Sequence, residues 1–220
     1  NTYPVVQDPG HVVNYSNNSM SGNSYDVIAF SGTSISGNVT WSAMPGLPYL
    51  IQNDLTISSS GTLLIEGGTI VKFTGSTSPT STDHRNLIVD GVLLTTASVE
   101  DPVVLTSFRD DDWGGDSNND GSSNGIRGDW GGLVLKSANT LDNVLIRYGG
   151  GQRSVSGPGS IYGAVYVYSN ASDIRYCTID NSYDSAVRAS STANPVINYN
   201  NFTSSANYGV YREGTTPVVN

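Results

Sequence analysis

Ile174-Arg-Tyr-Cys-Thr-Ile179 and Ile197-Asn-Tyr-Asn-Asn-Phe202 repeat one pattern of apolar and polar residues. A partial third copy, Val219-Asn220, begins at nearly the same interval after Ile197. A period of about 22 residues, built from short segments rich in β-branched and aromatic residues, is typical of a solenoid in which each repeat forms one coil. Leucine-rich repeats have a similar period, but their leucine and asparagine pattern is absent here.

Equivalent apolar residues of successive coils are expected to stack inside such a solenoid. Val165, Val187 and Val210 recur with the same period and form one expected ladder. A single coil cannot bury its own apolar face, so stability has to come from the stacking of neighbouring coils. The pattern predicts two short strands in each repeat, separated by turns rich in Gly, Asn and Ser.

Ile146-Arg-Tyr-Gly149 looks like an earlier copy of the same pattern, displaced by a Gly-rich insertion at residues 149–160. Its isoleucine and tyrosine are then expected to align with those of the later copies. The expected ladders are Ile146 with Ile174 and Ile197, and Tyr148 with Tyr176 and Tyr199.

Three regions follow from where this pattern holds. Residues 46–220 are predicted to form an all-β parallel β-helix, with an insertion at residues 109–129. Residues 1–45 lack the regularity and are predicted to form an N-terminal cap that shields the edge of the first coil. The sequence stops inside a repeat at Pro217-Val-Val-Asn220, so we expect an open or truncated C-terminal end, covered by more chain or by another subunit.

Composition narrows the class of protein. The net charge is −9 with only 10 Lys and Arg residues, which argues against a nucleic-acid partner. The single cysteine, Cys177, excludes an intramolecular disulfide, and we expect it to be a small buried apolar residue. No apolar run approaches the roughly 20 residues of a membrane-spanning helix. Abundant Gly, Ser, Thr and Asn, with 13% charged residues, indicate a secreted or cell-surface protein.

The segment Asp110–Asp129 contains six of the 19 acidic residues, set among Gly, Ser and Asn. Within it, Asp116-Ser-Asn-Asn-Asp-Gly-Ser122 places oxygen donors at its positions 1, 3, 5 and 7 and glycine at position 6. This spacing lets a short loop curl around a hard cation, because alternate side chains point inward and glycine permits a sharp bend. The segment therefore predicts a Ca²⁺ site.

The predicted ligand set is larger than this curl. Flanking aspartates can reach the ion from both sides, and Arg127 stands where an EF-hand has its bidentate glutamate, so flanking helices are not expected. The alternative is a surface turn held by side-chain to backbone hydrogen bonds. Mutual repulsion of the carboxylates favours the cation. The candidate ligands are Asp110, Asp111, Asp112, Asp116, Asn118, Asp120, the backbone of Ser122, and Asp129.

Across residues 38–220 the sequence resembles right-handed parallel β-helix modules of the pectate-lyase-like type, found in large secreted and cell-surface proteins. The order of motifs carries the resemblance: Leu63-Leu-Ile-Glu-Gly-Gly-Thr-Ile-Val-Lys-Phe73, Leu87-Ile-Val-Asp-Gly-Val-Leu93, Pro102-Val-Val-Leu-Thr-Ser107, the acidic segment, Gly128-Asp-Trp-Gly-Gly132 and Val144-Leu-Ile-Arg-Tyr-Gly149. The resemblance implies a fold and leaves the function open, because this fold carries lyases, hydrolases, adhesins and structural spacers.

Two functions remain open. The first is a non-catalytic, calcium-stabilised extracellular module that acts as a surface, adhesive or filament-forming scaffold and binds polysaccharide, with Trp113 as the candidate ligand-binding residue; Trp130 is expected to pack inside. The alternative is a calcium-dependent polysaccharide lyase, in which Ca²⁺ neutralises a uronate and an arginine removes a proton. Arg147 and Arg175, expected at equivalent outward positions of successive coils, and Arg188 are the candidates for that role.

Overall fold

Short strands follow one another in groups of three, and most strands pair in parallel with their counterpart in the next group. The computed structural model describes residues 1–11, 15, 20, 22–152, 162–168 and 171–214. Within these residues the chain is all-β, with sheets made only of parallel strands, as the repeat predicts for a β-helix.

The first sheet has eight strands in the order β1-β2-β5-β8-β11-β14-β17-β20. Its strands are β1 (Val5–Gln7), β2 (Ile28–Phe30), β5 (Tyr49–Ile51), β8 (Ile70–Phe73), β11 (Val103–Ser107), β14 (Val144–Arg147), β17 (Thr178–Asp180) and β20 (Asn201–Thr203). After β2 it takes every third strand of the chain, so each coil contributes one strand to it.

The second sheet has seven strands in the order β21-β18-β15-β12-β9-β6-β3. Its strands are β3 (Ser34–Ile35), β6 (Leu55–Ile57), β9 (Asn86–Val89), β12 (Gly132–Leu135), β15 (Val165–Val167), β18 (Ser185–Ala189) and β21 (Tyr208–Arg212).

The third face consists of two three-stranded sheets, in the orders β10-β7-β4 and β13-β16-β19. Their strands are β4 (Asn38–Trp41), β7 (Thr62–Ile65), β10 (Val92–Thr95), β13 (Thr140–Asp142), β16 (Asp173–Arg175) and β19 (Val196–Asn198). Between β10 and β13 the side chain of Asn139 replaces a strand pairing, because its Oδ1 accepts a hydrogen bond from the backbone N–H of Leu93 at 2.7 Å.

Apolar side chains at alternate strand positions fill the interior. Val165, Val187 and Val210 are in register on β15, β18 and β21, which confirms the valine ladder. Ile174 is in register with Ile197, and Ile179 with Phe202, which confirms the repeat of these two segments. Cys177 is buried, as expected for a small apolar residue, and burial raises the pKa of its thiol to about 11.

The prediction of two strands per repeat is wrong, because each coil has three. Ile174-Arg-Tyr-Cys-Thr-Ile179 looks like one strand in the sequence but contains β16, a corner and β17. The corner is Tyr176, whose φ of 53° turns the chain from one face to the next. Tyrosine favours strands, so the sequence gives no sign of this bend.

Two of the predicted ladders need correction. Ile146 is in register with Ile179 and not with Ile174, because β14 and β16 belong to different sheets. Tyr148 and Tyr176 lie at different corners of the coils. The corner that Tyr176 occupies holds Asn143 in the preceding coil and Tyr199 in the following coil. The three residues of that corner share positive φ angles of 52°, 53° and 57° in chain order.

The N-terminal region already contains coil strands. β2, β3 and β4 lie within residues 1–45 and pair with β5, β6 and β7. Residues before β2 also contact the first coil, since the indole N–H of Trp41 donates to the carbonyl of Pro9 at 3.2 Å. Residues 153–160 of the Gly-rich insertion and the final Val219-Asn220 copy lie outside the described residues.

No helix in the described part of the chain is long and apolar enough to cross a membrane.

Candidate functional site

The acidic loop, residues 109–129, connects β11 to the strand β12 and lies over the outward side of the first sheet. It reaches the N-terminal region, where the backbone N–H of Asp26 donates to the carbonyl of Ser117 at 2.9 Å. The side-chain amide of Asn119 donates to the carbonyls of Asn23 and Ser24 at 2.9 and 2.8 Å. The loop therefore links residues that precede β2 to coils that follow later in the chain.

Two cations on this outward side lie under the loop. Lys72 on β8 is in register with Leu50 on β5 and Thr106 on β11, and Arg147 is in register with Asp180. Alternation along a strand points these side chains away from the apolar interior. The acidic loop covers them, so that Lys72 is fully buried and the Arg147 side chain is only 14% exposed.

Arg147 binds two of the predicted calcium ligands. Its Nη1 donates to both carboxylate oxygens of Asp110 at 3.0 Å and to Asp112 Oδ2 at 3.0 Å. Asp110 is fully buried and also accepts a hydrogen bond from the hydroxyl of Thr106. Burial raises the pKa of Asp110, while the Thr106 hydrogen bond and the Arg147 charge act in the opposite direction.

Asp129, like Asp110 and Asp112, is a predicted calcium ligand that instead accepts hydrogen bonds from protein groups. Its carboxylate accepts hydrogen bonds from the Ser107 hydroxyl at 2.8 Å, the Ile126 backbone N–H at 2.9 Å and the Arg109 guanidinium at 3.3 Å. Burial raises its pKa against these three contacts. Asp110, Asp112 and Asp129 thus anchor the two ends of the loop and lie apart from its acidic cluster.

The acidic cluster consists of Asp111, Asp116 and Asp120. One carboxylate oxygen from each lies within 4.8 Å of the other two. That separation is about twice the Ca²⁺–oxygen distance of 2.3–2.6 Å, so a single ion can contact all three oxygens. Asn118 adjoins the cluster, since its side-chain amide donates to Asp120 Oδ2 at 2.8 Å.

The loop curls as its spacing predicts. Asp116 accepts hydrogen bonds from the backbone N–H groups of Asp120 and Gly121, both at 3.1 Å. Gly121 has a φ of 85°, the conformation for which glycine was expected at this position. These are also the hydrogen bonds of an ordinary surface turn, so the curl alone does not distinguish a calcium loop from such a turn.

One oxygen atom of Asp111 favours a cation. Asp111 Oδ2 accepts a hydrogen bond from the Ser123 backbone N–H at 2.7 Å. Asp111 Oδ1 is buried and accepts no hydrogen bond from any described residue. A buried carboxylate oxygen without a donor is costly, and a bound cation would remove that cost. The donor set, composed of hard oxygen atoms, fits Ca²⁺.

Lys72 is a site residue that the motif analysis missed. Its side chain is fully buried, and its Nζ donates to the Gly115 carbonyl at 2.9 Å and to Ser117 Oγ at 2.7 Å. Burial lowers the pKa of Lys72 to about 8, opposed by the charges of the nearby aspartates, Asp111 most strongly. Its outward position follows from strand alternation, but nothing in the sequence indicates that a loop covers it.

The lowered pKa of Lys72 predicts a pH-dependent stability. The unfolded chain keeps a proton on this lysine up to about pH 10.5, whereas the folded chain loses it near pH 8. The unfolded state then holds more of this proton in the interval, so the contribution of Lys72 to the free energy of unfolding should rise with pH from 8 to 10. Cys177 above pH 9 and Tyr49 above pH 10, whose pKa values burial raises to about 11 and about 12, act in the opposite direction.

Urea unfolding in EDTA at a series of pH values checks this, with Lys72→Met as the comparison. Between pH 8 and 10 the difference in free energy of unfolding, wild type minus variant, should increase by on the order of 1–3 kcal/mol, because Cys177 and Tyr49 titrate alike in both proteins. Equal slopes for the two proteins would show that Lys72 titrates normally.

The three candidate arginines of the lyase hypothesis do not form one groove. Arg147 lies on the first sheet, Arg175 on the third face and Arg188 on the second sheet. The expectation that Arg147 and Arg175 occupy equivalent positions is wrong, because Arg147 is in register with Asp180 and Arg175 with Asp142 and Asn198.

Each of these arginines also has carboxylate partners. Arg175 Nε lies 2.9 Å from Asp142, and Arg188 Nε lies 3.0 Å from Glu213. Arg109, which was not among the candidates, is the arginine at the open cleft of about 300 Å³ beside Asp120.

Trp113, within the acidic loop, and Trp130, directly after it, have different environments. Trp130 is fully buried, stacks on Phe73 with ring centroids 4.1 Å apart, and donates its indole N–H to the Arg147 carbonyl at 2.7 Å. This confirms the prediction that Trp130 packs inside. Trp113 is half-buried within the acidic loop.

Comparison with protein-family models gives no match to this chain, and comparison with curated proteins and with solved structures gives no significant match.

Proposed function

We propose that this chain is a non-catalytic, calcium-stabilised module of a secreted or cell-surface protein, folded as a right-handed parallel β-helix with an N-terminal cap. Its role is that of a surface, adhesive or filament-forming scaffold that contacts polysaccharide. The observation that carries the proposal is the cluster of Asp111, Asp116 and Asp120, with a buried and unpaired Asp111 oxygen, in a loop that crosses several coils.

The chemistry of the cluster suggests a structural role for the ion. Ca²⁺ would be held by Asp111, Asp116 and Asp120, with Asn118 and the Ser122 backbone as further oxygen donors from the same curl. It would neutralise carboxylates that otherwise repel each other. Because the curl is joined to the N-terminal region by Ser117 and to β8 by Lys72, ordering it would stabilise several coils at once.

Calcium should therefore raise the melting temperature. At a free concentration of 100 times Kd, binding to the native state adds about 2.7 kcal/mol to the free energy of unfolding. For a chain of this size that corresponds to an increase of roughly 5–10 °C. Differential scanning fluorimetry with EDTA, then with increasing Ca²⁺, measures the shift.

Matched variants localise the effect. Asp116→Asn and Asp120→Asn should remove most of the calcium-dependent shift, whereas Asp83→Asn, at an exposed aspartate paired with Arg85 in another turn, should retain it. A wild-type melting temperature that does not respond to Ca²⁺ would contradict the proposed site. So would an unchanged response in both loop variants.

A scaffold is favoured over a lyase by the state of the arginines. Arg147 is held between Asp110 and Asp112, and the other two candidates are paired on separate faces. A proton-abstracting arginine needs a free face toward a substrate near the ion. Incubation with pectin or alginate in Ca²⁺ tests the alternative: an EDTA-sensitive rise in the ultraviolet absorbance of unsaturated uronates would establish the lyase.

The C-terminal edge is the proposed place for another subunit. β19, β20 and β21 are the last strands of their sheets in the described part of the chain. Val196, Tyr208 and Val210 on these strands are exposed, as is Tyr199, which follows β19. Such an edge offers unpaired backbone groups together with apolar side chains, which favours the addition of further strands.

A further inference from the structure

Asn143, Tyr176 and Tyr199 form a column along one edge of the solenoid, called here the corner column. Each residue follows a strand of the third face and precedes a strand of the first sheet. Successive members are joined through the backbone: the N–H of Asn143 donates to the Arg175 carbonyl and that of Tyr176 to the Asn198 carbonyl, both at 3.4 Å. The column therefore presents one side chain per coil at the same place.

The two tyrosines are unusual occupants of this column. The left-handed conformation is readily adopted by asparagine, as at Asn143, and is unfavourable for a bulky residue such as tyrosine. The two residues, Tyr176 and Tyr199, are 52% and 79% exposed, and their rings stack with centroids 5.2 Å apart and an interplanar angle of 7°. Strained conformations of this kind concentrate at functional positions.

Tyr148 differs from Tyr176 and Tyr199 in the environment of its ring. It also has a positive φ, of 61°, but its ring is buried and lies under the Arg147 guanidinium, 4.8 Å from ring centroid to Cζ. Its ring has a structural use in the fold. Tyr176 and Tyr199 have no comparable use, since neither hydroxyl forms a hydrogen bond with any described residue and both rings lie at the surface.

A groove of about 190 Å³ lies beside Tyr176, on the side where the corner column changes from tyrosine to asparagine. Because Asn143 is smaller than tyrosine, space remains between the Tyr176 ring and the loop that carries Ser98, Val99 and Pro102. Since Tyr199 covers the other face of the Tyr176 ring, the open face is the one directed at this groove.

The lining of the groove indicates the chemistry of its occupant. All of its lining side chains are uncharged, so it offers nothing to neutralise an ionic group. Val99, Pro102 and the aromatic face provide apolar contact, while the Asn143 Oδ1 and the Thr178 hydroxyl form no hydrogen bond with any described residue and are available to a ligand. The volume is below the roughly 300–1,000 Å³ of sites for drug-sized ligands, which limits the occupant to about one ring.

We propose that this groove is a binding subsite for one uncharged sugar ring of an extracellular polysaccharide, stacked on the open face of Tyr176. A sugar ring combines a flat patch of C–H groups with hydroxyls on its rim, which matches an aromatic face beside an amide and a hydroxyl. Tyr199 is a positioning residue, which supports the Tyr176 ring from behind. The subsite rests on the proposed extracellular role and specifies its ligand class; Trp113 and the acidic loop take no part in it.

Titration calorimetry in Ca²⁺ with hexamers of cellulose, chitin, xylan and mannan tests the subsite. Wild type should bind at least one of them, and Tyr176→Asn should weaken that binding at least ~10-fold. Asparagine already occupies the equivalent corner at Asn143 and adopts a positive φ readily. The melting temperature of Tyr176→Asn should therefore be no lower than that of wild type. Tyr199→Asn should weaken binding less than Tyr176→Asn.

Control variants and ligands separate this inference from the proposed function. Tyr208→Ala, at an exposed tyrosine of the second sheet, should bind as wild type does, and Trp113→Ala tests the residue that the sequence predicts as the ligand contact. Equal affinity of wild type and Tyr176→Asn would overturn the subsite, as would loss of binding in Trp113→Ala alone. The subsite would also be overturned if the protein bound only oligogalacturonate, alginate or a proline-rich peptide, or bound no ligand at all. The calcium-dependent melting experiment tests the proposed scaffold function separately.

Discussion

Arg147→Met is expected to lose about 3–5 kcal/mol of unfolding free energy, because it leaves the buried carboxylate of Asp110 without its counter-charge. Asp110 is fully buried, and both of its oxygens accept hydrogen bonds from Arg147. The loss should appear as a lower midpoint in urea and as earlier protease cleavage within residues 109–129, since this ion pair anchors the loop to the first sheet.

Arg175→Met is the matched control for this loss. Arg175 is also paired with two aspartates, but its side chain is 43% exposed, so its midpoint should change little. The double variant Arg147→Met/Asp110→Asn should recover part of the loss, because it removes both buried charges together. If Arg147→Met is as stable as Arg175→Met, the pair does not hold the loop.

Trp130→Ala is expected to be equally severe, with a loss of about 3–5 kcal/mol. The substitution removes the ring that stacks on Phe73 and leaves a cavity in a fully buried site between the two large sheets. It also removes the indole N–H that donates to the Arg147 carbonyl. Urea unfolding followed by circular dichroism measures the change.

Trp130→Phe separates packing from hydrogen bonding. It keeps an aromatic ring beside Phe73 but loses the indole N–H and part of the ring volume, so the cost should be about 1–3 kcal/mol. A Trp130→Phe variant as unstable as Trp130→Ala would show that an aromatic ring stacked on Phe73 contributes little to the stability of this part of the core.

The parts of the fold that repeat could be predicted from the sequence. Stacking of coils requires the same kind of residue at the same place, so the valine ladder and the pairing of Ile174 with Ile197 left a periodic signal. The corners between strands left a weaker periodic signal in the sequence. Asparagine, as at Asn143, is a common residue in the left-handed conformation of a corner. Tyr176 has the same conformation but lies in a segment that reads as one continuous strand, and so the number of strands was predicted wrongly.

The sequence predicted which residue types form the candidate calcium site better than it predicted which aspartates lie together. The spacing around Gly121 predicts the curl, because the geometry is local. The partition of the aspartates is not local, since Arg147 binds Asp110 and Asp112 across long stretches of intervening chain. Lys72 likewise lies under the cluster although it belongs to an earlier coil. Residues that meet only through the stacking of coils leave no spacing pattern to read.

The path of the acidic loop has a mechanical consequence. A solenoid pulled by its ends yields coil by coil, because each coil is bound mainly to its neighbours. The loop joins Asn23 and Asp26 to the sheet at Lys72 and Arg147, so the coils beneath it carry load in parallel. Under tension the coils after Thr178 should extend first and in small steps, and the section from about residue 23 to 148 should resist longer and then extend in one large step.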